Sequence, residues 1–599
     1  MGCGSARWLQ RQRAIVTRRL RWLTSTAWLS AIHNRGDAAS SRGRRALVRA
    51  ACGACLWLTG AALSAALAAE GRAEALRRRI EALRTIGETR IGAGSAGARA
   101  MVASIYEQRG FEPLWADEQR ALALVAAIEA SKTHGLDPRD YHVEQLASLV
   151  SANAADGAAG ERLAERELLL TDAFMRLAFH LHFGKADPRS LQQGWNFART
   201  LDGVDPAVAL AKLLAAPDPA VALESLAPRL PQYRNLRSAL ARLREIEQRG
   251  GWPRVGEGPK LEVGSTGSRV AELRARLHAG GDLAAVSDDV MFDAELEAAV
   301  RRFQARHGLE ADGVVGRATL AGLNVAVAER IAQLRANLER LRWVARELAG
   351  DYLLVDIAGF AAELWLNDTL VWSARVVVGK PFRTTPEFRA RMKYLVLNPE
   401  WNVPPTILQE DVLPMVLRDR AYLEKHAMRV LDHAGRPVDA AAVDWALYRE
   451  RPRAFPYQIV QAPGPDNPLG SIKFMFPNEH SVYLHDTPSP ALFEKVTRAA
   501  SSGCIRTERP LELARLLLDD PQRWSTPQLQ ETIATGRTQT LPVRRTVPVL
   551  LLYFTAVAGA DGEPKFRPDL YDRDRPIIRA MAAPFRFASV DGVAPRARR

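Results

Sequence analysis

The spacing of the apolar residues changes near Tyr352, and this change constrains the fold of the chain more than any other feature. Before it, apolar residues recur at the three- and four-residue intervals of amphipathic helices. After it, short β-rich runs are separated by turn residues, which is typical of strands. The sequence therefore predicts a multidomain α+β protein, with helices first and a mainly β domain after them. The predicted strands are Tyr352–Ile357, Ala362–Leu366, Leu370–Val378, Tyr394–Leu397, Ser481–Leu484 and Pro548–Thr555.

Composition shifts divide the 599 residues into further segments. Residues 248–259 (QRGGWPRVGEGP) have the glycine and proline content of a linker. Residues 408–475 carry more helix and loop signals than the strands around them, which predicts an inserted capping subdomain. The predicted segments are a leader at 1–69, a helical scaffold domain at 70–250, a small three-helix module at 261–325, a connecting helix at 326–350, the β domain at 351–575 and a tail at 576–599.

The leader carries most of the positive charge. The formal net charge is +14, but residues 1–50 hold 11 arginines and one acidic residue. Acidic and basic residues nearly balance in the remainder, so we do not expect the folded part to bind nucleic acid. The uncharged run 50–69 follows these arginines and contains Ala66-Leu67-Ala68, the small residues that a signal peptidase requires. This pattern favours export to the periplasm or cell envelope by a cleaved signal, with a single N-terminal membrane anchor as the alternative.

The cysteine positions agree with export. Cys3, Cys52 and Cys55 lie in the leader, so Cys504 is the single thiol expected in the mature chain. A lone cysteine cannot form an internal disulfide in an oxidising compartment. Cys504 is then either a small buried apolar residue or a nucleophile.

Two short motifs favour the nucleophile, namely YLHDTP at 483–488 and SSGCIR at 501–506. A histidine can accept the proton of a thiol near neutral pH, which makes His485 the candidate base for Cys504. Gly503 permits a tight turn that aims the N–H groups of Gly503 and Cys504 at a developing oxyanion. His480 is a competing base, but on a continuous strand it and His485 would face opposite sides.

Residues beside this pair are candidates for binding substrate. The Arg506 guanidinium offers a planar fork for a carboxylate, and the hydroxyls of Ser501 and Ser502 can donate hydrogen bonds. A cysteine or histidine taken alone is more often a structural residue, but the glycine–cysteine turn and the single mature thiol favour catalysis here. No metal site is expected, because the one close histidine pair, His180 and His182, has no ligand cluster to complete it.

SSGCIR downstream of YLHDTP resembles the active-site signature of the L,D-transpeptidases with a YkuD-type catalytic domain, most of all the YcbB-like subgroup. Further stretches resemble that subgroup: VGKP at 378–381 with TTP at 384–386, NPEWNVPP at 398–405, and GSIKF at 470–474 with FPN at 476–478. Residues 261–325 resemble a peptidoglycan-binding module, and HGLDPRDYH and GKADP resemble a scaffold domain. Ser502 stands where many YkuD domains have a second histidine. The subgroup also uses serine there, which leaves His485 as the sole base of the motif.

The resemblance implies a reaction and roles for the residues. The Cys504 thiolate attacks the L-centre carbonyl of diaminopimelate in a donor tetrapeptide stem, and His485 passes the proton to the leaving D-alanine. The side-chain amine of another stem then converts the thioester into a 3→3 cross-link. Tyr483 and Trp401 would lie along the stem peptide, and the backbone carbonyl of Asp486 or of a neighbouring residue would orient His485.

No cofactor is implied by the resemblance, and the implied partner is peptidoglycan, both its stem peptides and its glycan. Two other interpretations of the sequence stay open. One is a Cys/His peptidoglycan hydrolase, which would share the thiol, the base and the wall-binding module. The other is a non-catalytic wall-binding scaffold.

Overall fold

The computed structural model describes residues 70–83, 96–151, 159–285, 287, 289–448 and 455–585. The predicted leader at 1–69 lies outside these residues, as does the tail beyond residue 585. Within the described ranges, no helix combines the length and the apolar character needed to cross a bilayer.

The first half of the described chain is helical, as predicted. Four short segments begin at an Asp-Pro pair, where the carboxylate of Asp137, Asp187, Asp205 or Asp218 accepts a backbone N–H of the first turn. Proline fits the first helical position because its missing N–H would have no partner there. Each such cap stabilises its helix by about 1 kcal/mol. The main helices are Ala96–Gln108, Glu118–Ala130, Val143–Ser151, Ala159–Phe183, Pro206–Leu214, Pro219–Glu224 and Pro231–Gln248.

A three-helix unit follows, made of Ser268–Gly280, Ala294–Arg306 and Arg317–Leu323. These helices enclose a small apolar core of their own, and a β-bridge between Leu261 and Val315 joins its two ends. The apolar positions that predicted the first two helices are buried in that core: Val270, Leu273, Leu277, Leu296, Val300 and Phe303.

A long helix, Val327–Val344, connects the helical half to the β domain. It packs against Pro231–Gln248 on one side and against the C-terminal helix Asp574–Ala582 on another. Its Glu339 and Arg342 form an ion pair in which both side chains are fully buried. Glu339 also accepts the Ala186 N–H (2.6 Å), and Arg342 donates to the His134 carbonyl (2.9 Å), so the pair connects this helix to the helical half of the chain.

The strands of the β domain are β1 Tyr352–Asp356, β2 Ala361–Leu366, β3 Thr369–Gly379, β4 Phe388–Arg391, β5 Tyr394–Leu397, β6 Trp401–Asn402, β7 Met428–Leu431, β8 Pro437–Val438, β9 Gln458–Gln461, β10 Ile472–Met475, β11 Leu484–His485, β12 Ala499–Ser501, β13 Ile505–Thr507, β14 Gln539–Pro542, β15 Pro548–Leu552, β16 Ala556–Ala558 and β17 Pro564–Phe566. Helices Pro510–Leu518 and Thr526–Ala534 lie between β13 and β14.

Eleven of these strands form one sheet in the order β14-β5-β10-β11-β13-β3-β2-β1-β15-β4, with β12 also paired to β3. Alternation along the central strands sorts their side chains onto two faces. Ile472, Phe474, Leu484 and Ile505 are fully buried in the main core, where helix Pro510–Leu518 also packs. The residues between them therefore point to the opposite face.

The inserted subdomain has its own four-stranded sheet, β6-β9-β7-β8, and its own apolar core. Its predicted limits, 408–475, need correction. The subdomain sheet begins at Trp401 and ends at Gln461. Strand β10 belongs instead to the large sheet, where it pairs with β5 and β11.

The C-terminal boundary predicted at residue 575 also needs correction. Helix Asp574–Ala582 crosses it and packs on the connecting helix. Arg340 of that helix pairs with Asp574, so the first part of the predicted tail is an integral helix.

Candidate active site

Cys504 lies in the turn between β12 and β13, and hydrogen bonds hold this turn from two sides. The Ser501 hydroxyl donates to the Cys504 carbonyl (2.6 Å), and the buried Thr385 hydroxyl donates to the Gly503 carbonyl (2.8 Å). Gly503 has a φ of +119°, a conformation that residues with a Cβ rarely adopt. Glycine is thus required directly before the cysteine.

The backbone N–H groups of this turn differ from the prediction in one respect. The Gly503 N–H already donates to the Ser501 hydroxyl oxygen (3.1 Å). The Cys504 N–H has no acceptor among the described residues. The expected pair of oxyanion donors is therefore corrected to one free donor, because a serine two residues earlier competes for the first N–H.

The Cys504 thiol is half-buried and donates to the backbone carbonyl of Ser481 over 3.8 Å. Burial raises the pKa of this thiol, while hydrogen bonds from Tyr483 and the charges of Lys473 and Arg506 act against that rise. The net direction is upward, so the thiol keeps its proton near neutral pH. It needs a base to become a nucleophile.

His485 is buried, and its Nδ1 lies 2.6 Å from the Asp486 carbonyl oxygen. A carbonyl oxygen only accepts, so Nδ1 carries the proton and Nε2 carries a lone pair. Burial and then the charge of Arg506 lower the pKa of His485 to about 3. The imidazole is consequently neutral near pH 7 and can accept a proton at Nε2.

The sheet places His485 and Cys504 on one face of neighbouring strands. Strands β11 and β13 are parallel, with His485 opposite Arg506, so Cys504 lies diagonally from His485. Among the described residues, the thiol's hydrogen-bond acceptor is Ser481 rather than His485. Catalytic hydrogen bonds of free enzymes often shorten only once substrate binds.

His480 does not reach this face. Its ring packs on Phe388, with the centroids 4.9 Å apart. The predicted strand Ser481–Leu484 is reduced to β11 at Leu484–His485, since Ser481 has a φ of +55° and Asn478 holds the loop through hydrogen bonds to Val482. The predicted opposition of the two histidines on a continuous strand is therefore wrong, although His485 remains the histidine beside Cys504.

Two cationic side chains flank His485. Arg506, a predicted substrate-binding residue, lies opposite it on β13. Lys473 lies opposite it on β10, and its Nζ sits 3.9 Å from the centroid of the Tyr483 ring. Lys473 was not among the predicted site residues. Its position between the apolar Ile472 and Phe474 could have indicated it, because alternation along a strand places it on the face opposite the core.

The remaining predicted residues make contacts with groups other than the thiol. Ser501 is buried and stabilises the turn, whereas exposed Ser502 accepts a hydrogen bond from Arg383 (2.8 Å). Trp401 packs against the core of the inserted subdomain. The carboxylate of Asp486 turns away from His485 and accepts the Ser471 N–H (2.8 Å).

Replacing Thr385 with valine should destabilise the protein and misplace the nucleophile. The hydroxyl also accepts the Gly379 N–H (2.9 Å), so its removal leaves two buried backbone groups unpaired. We expect a loss of about 1–3 kcal/mol in unfolding free energy. Urea unfolding measures this, and iodoacetamide labelling of Cys504 reports on the turn. The exposed Thr369→Val is the matched control, and equal losses in both variants would contradict the assigned role of Thr385.

Comparisons with known proteins identify the type of each domain. An L,D-transpeptidase catalytic domain matches residues 350–547. A scaffold domain matches residues 100–240, and a peptidoglycan-binding domain matches residues 266–323. The confirmed features are thus the helical and β halves and the transpeptidase type of the β domain.

Individual relatives match smaller parts. A Haemophilus influenzae protein named "Putative L,D-transpeptidase" is 36% identical over 245 residues, which is 41% of this chain and 48% of that protein. The N-acetylmuramoyl-L-alanine amidase CwlM of Mycobacterium tuberculosis is 40% identical over 83 residues, 12% of this chain and 20% of CwlM. The chain thus spans about half the length of the first relative and a fifth of the second. An L,D-transpeptidase structure from Xylanimonas cellulosilytica, 16% identical, covers 50% of this chain and 100% of its own with a TM-score of 0.16, too low to support an argument.

Proposed function

This chain carries an L,D-transpeptidase catalytic domain joined to a scaffold domain and a peptidoglycan-binding domain, and from that premise we propose that it forms 3→3 cross-links in peptidoglycan through a thioester on Cys504. One observation supports the proposal most directly. A half-buried thiol and an unengaged Cys504 N–H lie on the same sheet face as a neutral histidine whose Nδ1 is fixed by a backbone carbonyl.

In the first half-reaction, Nε2 of His485 accepts the thiol proton as Sγ attacks the L-centre carbonyl of diaminopimelate. The C–S bond forms, and the developing oxyanion accepts the Cys504 N–H. A donor of this kind typically lowers the barrier by about 3–4 kcal/mol. The C–N bond to D-alanine then breaks, and His485 returns the proton to the leaving amine.

In the second half-reaction, the side-chain amine of a second stem attacks the thioester. Its proton passes to His485 and then to the cysteine sulfur as the C–S bond breaks. Water would give hydrolysis instead, so the enzyme must exclude it at this stage. The inserted subdomain is suited to this task, because Arg383 connects its Glu410 and Asp411 to Ser502 in the catalytic turn.

The other domains fit the same proposal. The peptidoglycan-binding module would hold the glycan strand near the catalytic domain. Since the wall lies outside the cytoplasm, the predicted export signal or anchor in residues 1–69 supports a periplasmic or envelope location.

Mass spectrometry of the protein incubated with a disaccharide-tetrapeptide tests the proposal. We expect an adduct on Cys504 that has lost D-alanine, and a cross-linked dimer when acceptor stems are supplied. Free tripeptide stem without dimer would identify a hydrolase instead. No adduct on reduced, folded protein would rule out both enzymatic functions.

Arg383→Gln should shift the products from cross-linking towards hydrolysis. The side chain pairs with Glu410 and Asp411 of the inserted subdomain, and losing it lets the subdomain move away from the turn. Exposed ion pairs contribute little, so we expect the ratio of hydrolysed stem to dimer to rise about two- to fivefold. Liquid chromatography of the products measures this ratio.

Arg436→Gln is the matched control, because its ion pair with Asp432 lies on an exposed turn of the same subdomain. Added salt should move the wild-type ratio towards that of Arg383→Gln, since salt screens exposed pairs. An Arg383→Gln ratio equal to that of the control would show that the pair does not hold the subdomain.

A further inference from the structure

Lys473, His485 and Arg506 form a row across three neighbouring strands, β10, β11 and β13. His485 stands in the middle, and the two permanently cationic side chains flank it. Neither cation has a carboxylate partner among the described residues. The row lies on the face that carries Cys504.

This arrangement is costly without a bound anion. Both cations are half-buried, and the buried Nε of Arg506 has no hydrogen-bond acceptor among the described residues. Burying an unpaired charge is strongly unfavourable in water-excluded surroundings. The nearest acidic side chain of the motif, Asp486, is engaged with Ser471. The Cys504 sulfur offsets the two cations only when it is ionised, so a bound carboxylate would supply the anion while the thiol keeps its proton.

The proposed reaction supplies an anion of suitable chemistry twice. The leaving D-alanine carries a carboxylate on the carbon next to its nitrogen. The attacking amine of the second diaminopimelate, at its D-centre, also carries a carboxylate on the adjacent carbon. Building on the proposed function, we propose that Lys473 and Arg506 form a subsite for the carboxylate of a D-α-amino acid, which binds first the leaving group and then the acceptor amine.

The register of strands β10, β11 and β13 lets the subsite favour an amine over water as the group that attacks the thioester. An amine held by its carboxylate between Lys473 and Arg506 has its nitrogen beside His485 and its line of attack towards Cys504. Bound carboxylate also offsets the positive charge that helps to keep the pKa of His485 low, which makes the imidazole a better base. Water has no carboxylate and gains neither effect.

The test compares two small acceptors, D-methionine and D-methioninamide, with a tetrapeptide donor and the full-length protein. The exchange product is measured by liquid chromatography and the Cys504 adduct by mass spectrometry. We expect D-methionine to be used at least about tenfold more efficiently, as expected for a hydrogen bond between charged groups. The amide is the less protonated amine at neutral pH, so amine basicity would produce the opposite preference.

Lys473→Gln should remove most of this preference, measured as the ratio of kcat/KM for D-methionine to that for D-methioninamide, because slower acylation by the shared donor would lower both rates equally. Lys473→Arg should restore it, and the exposed Lys393→Gln is the matched control. An unchanged preference in Lys473→Gln, or equal losses with both acceptors that arginine does not restore, would overturn the subsite. A wild-type protein that forms no Cys504 adduct would instead refute the proposed function itself.

Discussion

Cys504→Ser is expected to abolish adduct formation and cross-linking while leaving the fold intact. An alcohol is a far weaker nucleophile than a thiol in a site built around one neutral imidazole, so we expect a loss of about 10³-fold or more. The sulfur's contacts, to the Ser481 carbonyl and to Tyr483, are weak, and the turn is held by Ser501 and Thr385 instead. The free energy of unfolding should therefore change by less than about 1 kcal/mol. Adduct mass and urea unfolding measure the two effects.

The leader offers a matched control, because the same Cys→Ser change can be made together at Cys3, Cys52 and Cys55. That triple variant should form the adduct at the wild-type rate. A Cys504→Ser protein that still cross-links would exclude Cys504 as the nucleophile. A Cys504→Ser protein that supports every cellular role of the wild type would favour the interpretation of the chain as a non-catalytic wall-binding scaffold.

Local patterning explains which parts of the fold could be predicted. The limits of β2, β3 and β5 match the predicted strands within one residue, since alternation and turn residues are read over a few positions. Strand β10 was assigned to the insertion because its partner β5 lies more than 70 residues earlier. Such pairing depends on long-range contacts that a local pattern does not contain.

The residues of the candidate site also divide into those that short motifs predict and those whose contacts arise only in the folded chain. Cys504, His485 and Arg506 could be predicted because the motifs place chemically distinctive residues at short spacing. The hydrogen bond from the Gly503 N–H to the Ser501 hydroxyl could not be predicted, because it depends on how one hydroxyl orients in a turn. Lys473 was overlooked because its neighbour across the sheet, His485, is 12 residues away in sequence and becomes adjacent only through strand pairing.

His485→Ala should slow acylation of Cys504 by about 10²–10⁴-fold, the usual contribution of a general base. Its effect on pH dependence is more specific. In the wild type, the pKa of His485 is lowered to about 3, so the base form is present at all pH values above that. The raised pKa of Cys504 keeps the thiol protonated through neutral pH. The kcat/KM for acylation should then be flat from about pH 5 to pH 8, without the inflection near 6.5 that an unperturbed histidine gives.

Without the imidazole, only thiolate that has already lost its proton to water can attack. The fraction of thiolate rises tenfold with each pH unit below the pKa of Cys504, so log kcat/KM for His485→Ala should rise with a slope of about one across this range. His480→Ala and the exposed His433→Ala should both keep the flat wild-type profile. A flat profile for His485→Ala would mean that another group accepts the thiol proton, and a sloped profile for His480→Ala would assign that role to the histidine that packs on Phe388.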